Sequence, residues 1–201
     1  KDQKNLSSIG TKENPQILKM GPEGTVFTMD IDEVTEEFST NVIGIHNIHN
    51  IASCLSLCLK AGISKDQLKM ALGDLKMVRR RQEERGYFQE ALVIDDFAHH
   101  PTAVRVTLEM IKTKYPGLEV VCLFAPSSAT ARSSLFQNEF TNSLLVADIL
   151  LIAKPEKDTT IKKQGNLDVH LMKEVCESSG KTVELIENLD DILRAFEHYA
   201  N

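Results

Sequence analysis

Apolar and polar positions alternate over 25–29 (Thr-Val-Phe-Thr-Met) and 38–43 (Phe-Ser-Thr-Asn-Val-Ile), which predicts two strands joined by an acidic turn. A lone pair of strands is marginal in water. The polar, glycine-broken opening over 1–43 is therefore expected to be the edge of a larger sheet. From position 48 the period changes: Ile48, Ile51, Ala52, Leu55 and Leu59 form a helical stripe that Gly62 ends. Ser64 and Gln67 then make a capping box for a second helix carrying Leu68, Ala71, Leu72 and Leu75. The charged run 79–86 is expected to be a hinge between two domains, 1–79 and 80–201.

Beyond the hinge, short apolar runs at 91–94, 120–124, 149–152 and 182–186 alternate with amphipathic segments. Pro101 opens a helix with Val104, Leu108 and Ile111 on one face. Leu135, Phe136, Phe140 and Leu144 mark a second helix, 171–179 a third and 189–199 a fourth. Uninterrupted apolar strands are covered on both faces. The second domain is thus expected to be an α/β fold, a Rossmann-like, doubly wound and mainly parallel sheet. Ligands in such sheets sit beyond the carboxyl ends of the strands. The turns at 95–101, 126–132 and 154–160 are where chemistry is expected.

Composition narrows the classes. With 42% hydrophobic and 26% charged residues, the chain is an ordinary folded sequence. The net charge is −6, and the one basic run, Arg79-Arg80-Arg81, is broken by Glu83 and Glu84, which argues against nucleic acid as a partner. No apolar stretch approaches the roughly 20 residues of a membrane span, so none is expected. Cys54, Cys58, Cys122 and Cys176 sit in apolar runs without a C-x-x-C, and read as core thiols of a reducing, cytoplasmic compartment.

Three segments carry candidate chemistry. In Gly44-Ile45-His46-Asn47-Ile48-His49-Asn50, two asparagines three apart at a helix start can offer paired donors and acceptors to an adenine edge. An N-capping asparagine with an incidental second one explains the same pattern, and a His46/His49 metal pair lacks a third ligand. In Val93-Ile94-Asp95-Asp96-Phe97-Ala98-His99-His100-Pro101, two carboxylates and two imidazoles converge between a strand and a helix N-terminus, where a carboxylate can accept ribose hydroxyls and a histidine can bond an anion. The alternative is a capping aspartate with solvated histidines. In Pro126-Ser127-Ser128-Ala129-Thr130-Ala131-Arg132, hydroxyls and an arginine suit an anionic ligand or a solvated cap equally. Gly180-Lys181-Thr182 is no phosphate loop, since position 175 is Val175 and the order is helix to strand.

These segments, in this order and spacing, resemble the Mur ligases, which couple ATP hydrolysis to amide-bond formation in peptidoglycan assembly. The resemblance spans nearly the whole chain. It implies that residues 1–79 are the end of the central ATP-binding domain, strands plus two helices, and that 80–201 form the C-terminal domain without its last strand. It further implies nucleotide contacts by His46, Asn47 and Asn50, a phosphate-approaching Arg81 and a ribose-binding Asp96. His99 and His100 then line the meeting point of acyl phosphate and amine, and Ser128, Thr130 and Arg132 lie on the amine-substrate side.

Phe97, Ala98 and Ala103, with Phe136-Gln137, are similar to the family's murein peptide ligases, which join L-Ala-γ-D-Glu-meso-diaminopimelate to UDP-N-acetylmuramate. The alanine-adding ligases are the alternative, and a non-catalytic domain that binds muropeptide or nucleotide is a reading from another class. Ala125, Ser127 and Ser133 stand where the family pattern has Glu, Arg and Arg. The resemblance implies ATP and Mg²⁺, with the Mg²⁺ ligands and phosphate loop outside this chain, which is expected to be an inactive part of a longer ligase. Replacing Asp96 by alanine in that ligase is expected to lower turnover by orders of magnitude and leave the melting temperature nearly unchanged.

Overall fold

The structure, a computed structural model, describes residues 15–154 and 165–200. Most of the expected turn at 154–160 lies outside these residues. The chain forms two compact units, residues 1–77 with 113–116, and residues 78–112 with 117–201.

The first unit holds an antiparallel sheet of β1 (Gln16–Gly21), β2 (Gly24–Ile31) and β3 (Val34–Thr40), in that order, followed by α1 (Ile45–Lys60) and α2 (Lys65–Gly73). Thr25, Phe27, Met29 and Ile31 alternate inward along β2, as the period of two requires. Phe27, Met29 and Ile31 meet Ile48, Ile51, Ala52 and Leu55 of α1 and Leu68 and Leu72 of α2; Phe27 stacks on Phe38 at 5.7 Å. The acidic turn is present, with Asp32 and Glu33 both at positive φ between paired Ile31 and Val34. Ser64 and Gln67 form the predicted capping box.

Three expectations shift. β3 begins and ends earlier than predicted, at Val34 and Thr40, so Val42 and Ile43 are buried linker residues rather than strand. The edge strand β1 lacks alternation and has no fully buried side chain, which hid it in the sequence. Ala71 is exposed rather than on the packed stripe of α2.

In the second unit, β4 (Glu83–Phe88) and β5 (Ala91–Asp95) form an antiparallel hairpin. Then come α3 (Pro101–Lys114), β6 (Val121–Phe124), a short 3-10 turn (Ser134–Phe136), α4 (Gln137–Leu144), β7 (Ile149–Ala153), α5 (Val169–Ser178), β8 (Thr182–Ile186) and α6 (Leu189–Tyr199). β6, β7 and β8 form the parallel sheet in sequence order. Central β7 is covered on both faces. Leu150 and Ile152 pack with Phe124, Phe140, Leu144, Met172 and Cys176, and Ile149 and Leu151 pack with Ile186 and Ala195. This is the α/β arrangement that the apolar runs predict.

The charged run differs from the expected hinge, because half of it is strand β4, paired with β5. The strand that ends in Asp95 is bonded to this hairpin partner. Among the described residues it is not bonded to the parallel sheet. The cysteines also divide: Cys176 is buried and Cys122 half-buried, but Cys54 is exposed on α1. Burial pushes the Cys122 thiol up to about 12.

Entry to the parallel sheet is fixed by Asp148. Its carboxylate accepts from the Lys112 ammonium at 2.6 Å and from the Val120 N–H at 2.9 Å, while its own N–H donates to Val120 O at 3.0 Å. Burial opposes ionisation, yet Lys112 and the Val120 N–H outweigh it and hold the carboxyl below its ordinary value. A depressed native pKa stabilises the fold above the unfolded value of about 3.9, and that stability is lost as pH falls through the lower native pKa. Asp148→Asn is expected to lower the melting temperature at pH 7 and to flatten the acid side of the stability profile. Parallel thermal melts at pH 7 and pH 3 check this; equal losses at both would refute it.

Candidate functional site

The apolar run of β5 ends in two aspartates, and the chain then turns toward α3. Asp96 makes this turn: its Oδ1 accepts from the Ala98 N–H at 2.7 Å and its Oδ2 from the Gln82 N–H at 3.0 Å. Its side chain is 11% exposed, and Arg81 Nη1 lies 4.0 Å from Oδ1. Each carboxylate oxygen has a further lone pair, so the group can still accept from two hydroxyls. Asp95, the neighbour, faces Arg80, whose Nε lies 3.6 Å away.

The arginine segment is held in an unusual shape. Arg80 and Gln82, on either side of Arg81, both have left-handed φ, +56° and +52°. Residues other than glycine adopt this only where their surroundings require it. Here the Phe97 N–H donates to Arg80 O at 2.8 Å, and the Arg80 N–H donates to the Glu83 carboxylate at 2.9 Å. That bond, aided by the charges of Arg85 and Arg79 and opposed by desolvation, holds the Glu83 carboxyl below its ordinary value.

His99 donates from Nδ1 to Phe97 O at 2.9 Å, because a carbonyl oxygen can only accept. This contact therefore places a proton on Nδ1, which leaves Nε2 as the only ring nitrogen that can accept. His100 is exposed; its carbonyl accepts from the Val104 N–H, and its ring lies edge-on to Phe136 at 5.3 Å. Arg81, Asp96 and His99 are thus gathered around Phe97, and His100 sits at the start of the next helix.

The remaining candidates take more local roles. Ser128 Oγ accepts from the Ala131 N–H at 3.0 Å and Ser128 O from the Arg132 N–H at 2.9 Å, so Ser128 caps its own turn. Thr130 is exposed and Arg132 half-buried on the same loop. Ser133, one of the departures from the family pattern, is 3% exposed, and its Oγ caps the 3-10 turn through the Leu135 N–H. In the first unit the N-cap of α1 is Gly44, at φ +100°, and not an asparagine. Asn47 is buried and its Nδ2 donates to Ile43 O at 2.8 Å, whereas His46 and Asn50 are exposed. The two asparagines therefore differ in environment: one braces the helix start, the other faces solvent.

Motif and spacing alone point to no role for Phe97, Arg80 or the Gln82 N–H. The signal available was a large apolar residue placed in the middle of a polar turn. Among the described residues, no group of three or more His, Cys, Asp and Glu could hold a metal ion. None of the helices there is long and apolar enough to cross a membrane.

The sequence pattern described as Mur ligase, glutamate ligase domain, matches residues 79–201, which include Arg81, Asp96, His99 and His100. The chain belongs to the Mur ligase family. The UDP-N-acetylmuramate–L-alanine ligase of Desulfitobacterium hafniense is 28% identical over 176 residues, 87% of this chain and 39% of that protein. The enzyme of the same name from Lachnospira eligens is 31% identical over 160 residues, 80% of this chain and 34% of that protein. The chain therefore spans little more than a third of the length of these two relatives.

Two crystal structures share the fold of this Mur ligase chain. The UDP-N-acetylmuramate-alanine ligase of Thermotoga maritima has a TM-score of 0.70 at 20% identity, over 90% of this chain and 38% of that one. The murein peptide ligase of Psychrobacter arcticus has a TM-score of 0.61 at 23% identity, over 93% and 38%.

Proposed function

We propose that the intact protein is an ATP-dependent ligase that joins an amine to the muramate carboxylate of UDP-N-acetylmuramate. Residues 1–79 are then the end of its ATP-binding domain and 80–201 its C-terminal domain, with the phosphate loop and Mg²⁺ ligands elsewhere in the protein. The single observation that carries this reading is the Arg81–Asp96 pair at the end of β5, inside the family-matched residues. Asp96 would accept the ribose hydroxyls and Arg81 would neutralise phosphate charge. His46, Asn47 and Asn50 would serve the adenine. The burial of Asn47 makes Asn50 the better placed of the two amides.

In this scheme ATP phosphorylates the carboxylate, the amine attacks the acyl phosphate, and inorganic phosphate leaves. Phosphoryl transfer asks mainly for positioning and charge neutralisation. His99 Nε2, an acceptor with Nδ1 tied to Phe97 O, can take a proton near the meeting point, with His100 beside it. Ser128, Thr130 and Arg132 would face the amine substrate. The expected site of action is the bacterial cytoplasm.

For the amine we favour L-Ala-γ-D-Glu-meso-diaminopimelate, on the D-D-F-A-H-H-P-T segment at 95–102 and Phe136-Gln137. The second reading, L-alanine, is supported by the names of the curated relatives. A competition assay separates them. The intact protein is given UDP-N-acetylmuramate, MgATP and equal concentrations of both amines, and the products are weighed by mass spectrometry. The tripeptide product should exceed the alanine product by roughly tenfold or more, the scale of discrimination that a dedicated pocket gives. Excess alanine product would overturn the tripeptide assignment. Absence of any ATP-dependent product would leave the non-catalytic binding reading.

A further inference from the structure

We propose that Phe97 is a positioning residue whose ring gathers two guanidiniums, Arg80 and Arg81, and the His99 imidazole at the end of β5. The guanidinium carbons of Arg80 and Arg81 lie 5.0 and 5.8 Å from the ring centroid. The His99 ring lies 4.9 Å away. Two arginines adjacent in sequence repel each other and would disperse into solvent on long, flexible stems. The negative face of an aromatic ring offsets part of that repulsion, beside the carboxylates of Asp95 and Asp96.

Phe97 is 46% exposed, so burial does not account for a large apolar side chain in this polar turn. Its backbone reinforces the grip. The N–H bonds Arg80 O, which fixes the left-handed arginine backbone, and the carbonyl accepts from His99. Asp95 lies 3.6 Å from Arg80 Nε and Asp96 4.0 Å from Arg81 Nη1. The cluster that results suits an anion with several oxygens, such as a polyphosphate. That consequence rests on the nucleotide reading given above, whereas the stacking does not.

The test uses two variants. Phe97→Leu keeps apolar bulk and removes the π face; Phe97→Tyr keeps both. In NMR spectra of the 201-residue chain, the side-chain protons of Arg80 and Arg81 should show upfield ring-current shifts. These should vanish in Phe97→Leu and persist in Phe97→Tyr. In the intact ligase, Phe97→Leu should raise the KM for ATP about fivefold, the scale of one to two exposed cation–π contacts, with kcat little changed and Phe97→Tyr near wild type. Arginine signals that do not respond to Phe97→Leu would overturn the proposal. So would equal effects of both variants on those signals, whereas an unchanged KM for ATP would overturn the polyphosphate consequence. An intact wild-type protein without ATP-dependent turnover would sink the nucleotide reading instead, and the arginine signals would still decide the stacking.

Discussion

Gly24→Ala is expected to unfold the first unit at temperatures where the wild type is intact. Gly24 opens β2 directly after the Pro22-Glu23 turn, paired with Gly21 of β1. A Cβ at this position would lie 2.1 Å from Thr40 O and 2.9 Å from Asn41 Cα. Both atoms are backbone, at the end of β3, and cannot rotate away as a flexible side-chain tip can. The residue also has φ +123°, which L side chains rarely adopt. Relief would require β3 to shift from β2, along a register that buries Phe27 against Phe38. A positive-φ penalty of roughly 1–3 kcal/mol adds to the steric term, so a loss of about 3–5 kcal/mol is expected. Thermal melts and amide exchange on β2 and β3 measure it. Wild-type exchange protection in the variant would show that the β2–β3 packing is looser than described. Gly21→Ala, with nothing within 4 Å of the added Cβ, is the control.

What the sequence disclosed, and what it hid, follows from how local each cause is. Periodicity is a local property. The apolar runs that became β6, β7 and β8 and the stripes of α1 and α3 were legible because neighbours three, four or two residues apart share a face. The capping box at Ser64 was legible for the same reason. β4 was not, since Glu83-Glu84-Arg85-Gly86 reads as a solvated run and becomes strand only by pairing with β5 through a bulged register. At the helix start the N-capping asparagine is one of two readings the spacing allows, and a positive-φ glycine makes the turn instead. Cys54 shows the converse: an apolar run around it says the helix is packed, but not which side faces solvent.

The candidate site divides along the same line. The residue types at 95–100 announced chemistry, and their order with 44–50 and 124–132 matched a family. The interactions that shape the site were invisible to spacing. The Asp96 carboxylate reaches the Gln82 N–H across 14 residues, and the Phe97 N–H reaches Arg80 O across 17. These contacts turn a stretch that sequence alone suggests is a hinge into a segment fixed against the turn after β5. They also show that Asp96 has a structural task alongside the chemical one proposed for it, which changes what its removal should do.

Asp96→Ala in the intact ligase is therefore expected to lose both stability and turnover, by separable amounts. Without the carboxylate, the Gln82 and Ala98 N–H groups lose their acceptor in a part-buried turn. At roughly 1–3 kcal/mol for groups left unsatisfied, the variant should melt several degrees below wild type. The expectation of an unchanged melting temperature does not survive the geometry. If Asp96 also accepts two ribose hydroxyls, each charge-assisted bond is worth roughly 1.5–3 kcal/mol. The rate loss is then on the order of 10²–10⁴-fold in kcat/KM for ATP. The two effects part when turnover is measured well below both melting temperatures, where the folded fraction approaches one and stability no longer limits activity. A nucleotide role predicts that the loss per folded molecule persists there. A purely structural role predicts that activity returns to within about threefold of wild type on cooling, an outcome that would remove Asp96 from the proposed nucleotide site while leaving the turn it builds intact.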